Sequence, residues 1–309
     1  MKTAADCCNK IVVLYGIGKQ RRSHSAAIFL HCSPSSHLNA KENSSFSRDA
    51  FVGGLSDVGR HAILAALEIP SVEKITVITE YPEKLNEKNW ESHGEKTNPF
   101  DDHNLSKRLE MVKIDTWKKE QTDLAQYFAG ATGVVSCLGH RQPGWKHPEL
   151  KTRGLIAYDG SRQVIAAMNE AKVDRVVAIS SFGIGSSGTT VAEWPHWASK
   201  FMACLFKTFQ RRAGKDLVKM EAAYAESPLD YLLVKPVGIG EEVEPVGRYY
   251  LQEAGKKVRD VAEGKVMEDE IVGGNMAKMD VARFMVVEAL KPTLHRISQV
   301  VGAKPGTPM

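Results

Sequence analysis

Two glycine-rich segments could together form a turn that binds a phosphate. Gly16 and Gly18 follow an apolar run, and Gly54 and Gly59 precede an amphipathic segment. Glycine lets the backbone turn tightly and lets a pyrophosphate approach the N–H groups at a helix N-terminus, where the helix dipole favours anions. Arg60, in the first turn of the predicted helix, would add a phosphate contact. The pattern favours a dinucleotide site, although a plain chain reversal would use the same glycines.

Acidic residues follow the second and third predicted strands. A carboxylate after the second strand can accept hydrogen bonds from both ribose hydroxyls of NAD, whereas a basic residue there would pair with the 2′-phosphate of NADP. Glu80 therefore favours NAD slightly, but Lys84 or Arg60 could turn toward a 2′-phosphate, and Glu80 could also be a solvated turn residue. Asp115, after the third strand, is predicted to meet the adenine amino group.

Residues after the later strands would complete the same crevice. Leu138 and Gly139 lie at the end of the fourth predicted strand, Ser180 and Ser181 lie at the end of the fifth, and Pro236 closes the sixth. A glycine in this position allows backbone to pass close to a cofactor. Each residue alone is explained as well by structure, but at successive strand ends they would line one ligand crevice.

The elements that must position these residues alternate between short β-branched runs and longer amphipathic stretches, which predicts a mostly parallel sheet. The predicted strands are residues 10–15, 74–79, 108–114, 132–138, 175–181, 231–235 and 297–301. The predicted helices are residues 57–67, 122–128, 155–171, 196–226 and 279–290. One α/β domain with a doubly wound parallel sheet follows from this alternation.

Residues 19–53 interrupt this pattern between the first strand and the first helix. The segment contains eight serines and three histidines and has no sustained period, and such long loops are uncommon inside compact domains. Without it, KIVVLYGIG would join GLSDVGRHAILAALE as an unbroken strand, glycine turn and helix. The codons available at Gly18-Lys19 and Val52-Gly53 permit a retained intron across the segment. A family-specific insertion is the alternative.

Composition bounds the class of protein. The 309 residues are 43% hydrophobic and 25% charged, which is typical of a globular chain, and neither a membrane span nor a signal peptide is apparent. A cytoplasmic protein is therefore expected, and its five cysteines are expected to be free thiols, because their number is odd. No metal site is predicted, because the cysteines show no metal spacing and the sequence has no zinc-protease motif. The absence of P-loop and serine-hydrolase motifs leaves phosphoryl transfer and serine hydrolysis without support.

The mildly basic charge is concentrated in the interrupting segment. It carries five of the 41 Lys and Arg residues and two of the 37 Asp and Glu residues, so the rest of the chain has a net charge near +1 rather than +4. We therefore expect a small-molecule substrate as the partner, and neither nucleic acid nor a membrane. The oligomeric state stays open.

The chain resembles the atypical short-chain dehydrogenase/reductases of the NAD(P)H-binding, NmrA-like group. The resemblance rests on the glycine turn and on the segments EYPEKL, VVSCLG, VDRVVAISSFGIG, KMEAAYAESPLDYLLVKPVGIG and AKMDVARFMVVEAL. It implies one Rossmann-type NAD(P)-binding domain over residues 1–309, interrupted at 19–53. We expect irregular segments near 182–214 and 237–274 to form a small C-terminal substrate cap. Family members often carry arginine where Glu80 stands, so their usual preference for NADP is in doubt here.

The resemblance also assigns catalytic roles. The larger superfamily uses a serine after the fifth strand and a Tyr-x-x-x-Lys helix whose tyrosine donates a proton. Ser181 matches the serine and Lys219 the lysine, but Lys215 stands where the tyrosine is expected. The tyrosine and lysine at 231 and 235 match the spacing only along a predicted strand, where a four-residue step separates side chains by about 13 Å. The pair at 15 and 19 spans the glycine turn.

Two functions fit a dinucleotide site without the usual acid. One is an NAD(P)(H)-dependent oxidoreductase that transfers hydride to or from a small carbonyl or conjugated substrate, with the proton taken from water or from the substrate. Flavin- and biliverdin-reducing members of the group imply such chemistry. The other is an NmrA-like redox sensor or assembly factor that binds the dinucleotide without turnover.

Overall fold

The computed structural model of the chain describes residues 9–15, 54–80, 82, 103–117, 123–138, 156–184, 211–240, 245–253 and 256–307. The strands in these ranges are β1 (Asn9–Tyr15), β2 (Val72–Thr79), β3 (Leu109–Lys113), β4 (Gly133–Cys137), β5 (Arg175–Ile179), β6 (Asp230–Pro236), β7 (Ile239–Gly240), β8 (Tyr250–Glu253), β9 (Lys257–Asp260), β10 (Val266–Glu268), β11 (Met276–Ala277) and β12 (Ile297–Gly302). The helices are α1 (Gly54–Leu67), α2 (His103–Ser106), α3 (Ala125–Phe128), α4 (Ala157–Ala171), α5 (Arg211–Glu226) and α6 (Lys278–Leu290).

Seven neighbouring strands run parallel in the order β3-β2-β1-β4-β5-β6-β12. β1 lies between β2 and β4, so that Ile11 pairs with Ile75 on one side and with Gly133 on the other. The order reverses between β1 and β4, and ligands of doubly wound sheets bind outside the carboxyl ends of the strands at that point. The predicted Rossmann-type α/β fold is confirmed.

Both faces of the sheet are covered by helices, which gives two apolar cores. Alternate residues of each strand face opposite sides, so Val135 and Val177 join the core under α1 and α6, whereas Val134 and Val176 join the core under α4 and α5. A sheet buried on both faces explains why its strands read as continuous apolar runs rather than as alternating ones.

The predicted elements match the observed ones closely. All seven predicted strands are confirmed, with ends that differ by at most two residues. α1 begins at Gly54, three residues before its predicted start, and α5 is described only from Arg211, while residues 196–210 lie outside the described residues. Among the described residues, no helix combines the length and the apolar character needed to cross a bilayer.

The C-terminal region is more regular than predicted. Residues 237–274 contain β7 to β10, and β8, β9 and β10 extend the large sheet by antiparallel pairing beyond β12. Gln252 ties this extension together, because its side-chain oxygen accepts a hydrogen bond from the Val272 N–H at 3.0 Å and its backbone carbonyl accepts one from the Gln299 side-chain amide at 2.8 Å. These strands are three or four residues long and contain charged residues, so the sequence has no apolar run there from which they could be predicted. Residues 185–210 of the other expected cap segment lie outside the described residues.

A buried guanidinium joins β5 to the C-terminal end of α6. Arg175 forms ion pairs with Asp230 at 3.1 Å and with Glu288 at 3.2 Å, and its Nη1 also donates to the Leu294 carbonyl at 2.9 Å. Glu288 in turn accepts the Thr293 N–H at 3.0 Å. The side chains of Arg175 and Glu288 are each only 6% exposed. Protein groups rather than water therefore solvate both charges.

We expect Arg175→Met to lower the free energy of unfolding by about 3–5 kcal/mol, because it leaves Glu288 charged and buried without its partner. The matched control is Arg283→Met, which breaks the exposed pair with Glu68 and should cost at most about 1 kcal/mol. Urea unfolding of both variants checks the difference. Equal losses in the two variants would contradict this account of the cluster.

Candidate functional site

The N-terminus of α1 lies at the carboxyl edge of the sheet, beside the reversal of the strand order. α1 follows β1, the strand at the reversal of the sheet order, and Gly54 and Gly59 both lie in its first two turns. Gly16 and Gly18 lie outside the described residues. Arg60 is in the second turn rather than the first, because the helix begins earlier than predicted, and it is buried. Of the four predicted glycines, the structure thus places Gly54 at the start of the helix and Gly59 in its second turn.

Glu80 links the carboxyl ends of β2 and β3. The carboxylate is buried, and its Oε1 accepts the backbone N–H of Trp117 at 2.6 Å. Asp115 lies two residues before Trp117 and is exposed. Glu80 and Asp115, the two residues predicted to bind adenosine, therefore lie at the same edge of the sheet. The buried Trp117, which was not predicted, connects their positions.

Close packing behind Trp117 favours a glycine. Gly160 of α4 lies so near β4 that an added Cβ would be 2.7 Å from Cδ1 of Leu138 and 3.4 Å from the Trp117 side chain. The Trp117 carbonyl also accepts the Gln163 side-chain amide at 2.5 Å. Leu138, the predicted cofactor residue, is fully buried here, and Gly139 lies outside the described residues.

The predicted lysine lies beside the N-terminus of α4, at the carboxyl edge of the sheet. Lys219 of α5 is exposed, and its Nζ lies 5.6 Å from the ring centroid of Tyr158 over the ring face. A cation at this distance from an aromatic face is attracted by the ring. Lys215, which replaces the usual tyrosine, is also exposed. Tyr158 and the neighbouring Asp216 are contacts of this region that sequence reasoning did not identify.

Asp216 of α5 caps the N-terminus of the neighbouring helix α4. Its Oδ2 accepts the Ala157 N–H, one of the N–H groups that α4 cannot satisfy internally, at 3.0 Å. Burial raises the pKa of Asp216 above its ordinary value, while hydrogen bonds from the backbone of Ala157 and Tyr158 act in the opposite direction. The cap joins α4 and α5 next to Lys219.

Ser180 and Ser181 have different environments. The Ser180 hydroxyl is fully buried and donates to Oε1 of Glu221 at 2.5 Å, and Oε2 of Glu221 accepts from Nζ of Lys235 at 3.0 Å. Ser181 is half-buried, and among the described residues its hydroxyl makes a long contact of 3.4 Å with the Phe182 carbonyl. The two serines therefore differ, because Ser180 belongs to a buried ionic network and Ser181 does not.

That network was missed because Glu221 and Lys235 lie on different elements. Burial raises the pKa of Glu221 and lowers the pKa of Lys235, and each charge counteracts the shift of the other. Lys235 lies within β6 with Tyr231, whose ring contacts Arg296 instead, so these two residues do not form a catalytic pair. The one sequence signal for this network was a lysine inside the apolar run LLVKP. Pro236, which follows this lysine, is also buried.

Two further features limit the chemistry of the described residues. No group of three or more His, Cys, Asp or Glu side chains in this part of the chain is placed to hold a metal ion. Cys137, at the end of β4, is free and fully buried, and burial raises the pKa of its thiol to about 12. This thiol is therefore not a nucleophile at neutral pH.

We expect Asp216→Ala to lower the free energy of unfolding by about 1 kcal/mol, because it removes the cap of α4. Asp216→Asn keeps an oxygen acceptor and should retain most of the stability. Because the folded pKa is raised, the wild-type aspartate binds protons more readily when folded, and its contribution to stability falls as pH rises above about 4. Urea unfolding should show that the free energy of unfolding declines less between about pH 4 and about pH 7 in Asp216→Asn than in the wild type. Equal stability of the Ala and Asn variants would contradict the capping role.

Comparison with solved structures shows the same fold in two other proteins. A short-chain dehydrogenase/reductase from Veillonella parvula, solved in complex with NADP, has a TM-score of 0.54 at 15% identity, over 82% of this chain and 93% of that one. The oxidoreductase ylbE from Lactococcus lactis has a TM-score of 0.51 at 14% identity, over 83% of this chain and 90% of that one. At such low identities the likeness concerns the fold alone.

The sequence itself matches a family model. The model describes NAD(P)H-binding proteins and matches residues 94–292, which is more than half of the chain. The matched region includes β4, β5, β6 and α5, with Ser181 and Lys219, and it excludes the glycine turn and Glu80. No curated protein matches the sequence. The chain belongs to the NAD(P)H-binding family.

Proposed function

We propose that the protein is an NAD(P)(H)-dependent oxidoreductase that transfers a hydride between the nicotinamide and a small carbonyl or conjugated substrate. One observation supports this most: Ser181 and Lys219 both lie at the carboxyl edge of the sheet, inside the region that matches the NAD(P)H-binding family. Ligands of doubly wound sheets bind outside that edge.

The residues fit a dinucleotide along the crevice. The α1 N-terminus with Gly54 and Gly59 would hold the pyrophosphate, and Glu80 with Asp115 would bind adenosine. Oε1 of Glu80 is held by the Trp117 N–H, so Oε2 is the oxygen that would accept from the ribose. Ser181 and Lys219 would bind the nicotinamide end. The bound nicotinamide would supply the hydride, and the chain would orient it.

The proton has a separate source in this proposal. Lys215 replaces the usual tyrosine, so the substrate takes its proton from water or from its own groups. Lys219, whose ammonium lies over the Tyr158 ring, would bind the nicotinamide ribose and favour negative charge that develops on the substrate. The missing tyrosine also favours the second function, which is a redox sensor or assembly factor that binds the dinucleotide without turnover.

We expect Lys219→Ala to lower turnover by at least about tenfold, which corresponds to about 1.4 kcal/mol of lost transition-state stabilisation. The matched control is Lys215→Ala, one turn earlier on α5 and also exposed, which should stay within about twofold of wild type. Ser181→Ala should fall with Lys219→Ala. Oxidation of NADH and NADPH with a panel of quinones and flavins measures the rates.

The same assay separates the two functions. Dinucleotide binding with no oxidation by any acceptor would favour the sensor and overturn the enzyme. Equal turnover of the variants at positions 215 and 219 would show that Lys219 has no role in the site.

We also propose NAD as the preferred dinucleotide, on the charge of Glu80. A carboxylate at this position repels a 2′-phosphate, so we expect NADH to bind about tenfold more tightly than NADPH. Glu80→Gln keeps an acceptor for the Trp117 N–H and should bring the two affinities to within about threefold. Fluorescence titration with both dinucleotides checks the ratio. An unchanged ratio in the variant would show that Glu80 does not face the ribose.

A further inference from the structure

The turn after β5 is held at both of its ends by one buried ionic pair. At the first end, the Ser180 N–H donates to the Val234 carbonyl at 2.7 Å, and the Ser180 hydroxyl donates to Glu221. At the other end, Nζ of Lys235 donates to the Ile184 carbonyl at 2.5 Å. Ser181 lies between these two anchors. Its backbone is therefore fixed by residues that are distant from it in sequence.

The arrangement also determines which serine is available. The backbone bond to Val234 carries the strand pairing one residue beyond β5. Ser180 points inward to Glu221, whereas Ser181, the next residue, is half-buried. Gly183 supplies the left-handed conformation that closes the turn, with a φ of 77°.

Stability alone does not account for a pair in this environment. The side chains of Lys235 and Glu221 are 1% and 8% exposed, so both charges have lost most of their hydration. Replacing a buried ion pair by neutral residues of similar volume is often neutral or stabilising, whereas removing one partner is costly. A buried pair that is weak support for stability can still enforce one local geometry.

We propose that Glu221 and Lys235 are positioning residues that hold the turn carrying Ser181 at the nicotinamide end of the site. This inference rests on the proposed function. Neither residue is expected to touch substrate or dinucleotide, because Glu221 binds Ser180 and Lys235 binds the Ile184 carbonyl. They act through the backbone of the turn, and a displacement of about 1 Å in a catalytic group can cost a hundredfold in rate.

The test compares single and double neutral variants. Lys235→Met alone should be strongly destabilised, since Glu221 loses its partner. The double variant Glu221→Gln with Lys235→Met should regain a melting temperature close to wild type, because neither charge remains. The turnover of the double variant should nevertheless stay at least about tenfold below that of the wild type, while its affinity for NADH stays within about threefold of the wild-type value. The control is the exposed pair Lys257 and Glu268, neutralised in the same way, which should change neither quantity.

Hydrogen exchange gives a readout that does not depend on turnover. In the double variant the amide of Ile184 should exchange at least about tenfold faster, while amides within α4 keep their wild-type rates. Unchanged exchange at Ile184, or full turnover in a stable double variant, would overturn the positioning role. Failure of the wild-type chain to bind either dinucleotide would instead overturn the proposed function, and the exchange rates would still decide whether the pair holds the turn.

Discussion

Parallel pairing of seven strands is the constraint on which the rest of this structure depends. Parallel neighbours need long crossover connections, and here α1, α4, α5 and α6 supply them on both faces of the sheet. Every crossover then begins at the carboxyl edge of the sheet. The starts of α1 and α4 and the turn after β5 are therefore brought to one side, although they are far apart in the sequence.

The two edges of the sheet use buried charge in different ways. Arg175 lies at the start of β5 and bonds two carboxylates and two carbonyls, so it joins the amino ends of β5 and β6 to the C-terminal end of α6. The pair of Glu221 and Lys235 lies at the carboxyl edge and bonds one serine and one turn. The first cluster stabilises the fold, and the second determines how a surface turn is presented. Both require all their members, because a buried charge without its partner is costly.

The sequence predicted the fold well because its main signals are local. The run ITVIT of β2 and the run RVVAI of β5 are rich in β-branched residues and are buried on both faces, as is typical of central parallel strands. β9 was missed because Lys257 and Arg259 alternate with single buried residues over only four positions. So short a pattern has no period that distinguishes a strand from a charged loop.

The candidate site was less predictable, since its decisive contacts join distant residues. Ser181 and Lys219 could be identified from a resemblance, but the burial of Ser180 depends on Glu221, which lies 41 positions away. Likewise, Glu80 looked like an end-of-strand carboxylate, and only the fold shows that Trp117 holds one of its oxygens. Pairings of this kind arise from packing, and no spacing along the chain encodes them.

The central claim is that the carboxyl edge of the sheet holds a nicotinamide dinucleotide, and a crystal structure of the chain with NADH tests it most directly. The account predicts pyrophosphate at the N-terminus of α1, a ribose hydroxyl within hydrogen-bond distance of Nζ of Lys219, and the nicotinamide ring beside Ser181. A dinucleotide bound away from this edge, or one whose nicotinamide end is remote from Ser181 and Lys219, would contradict it.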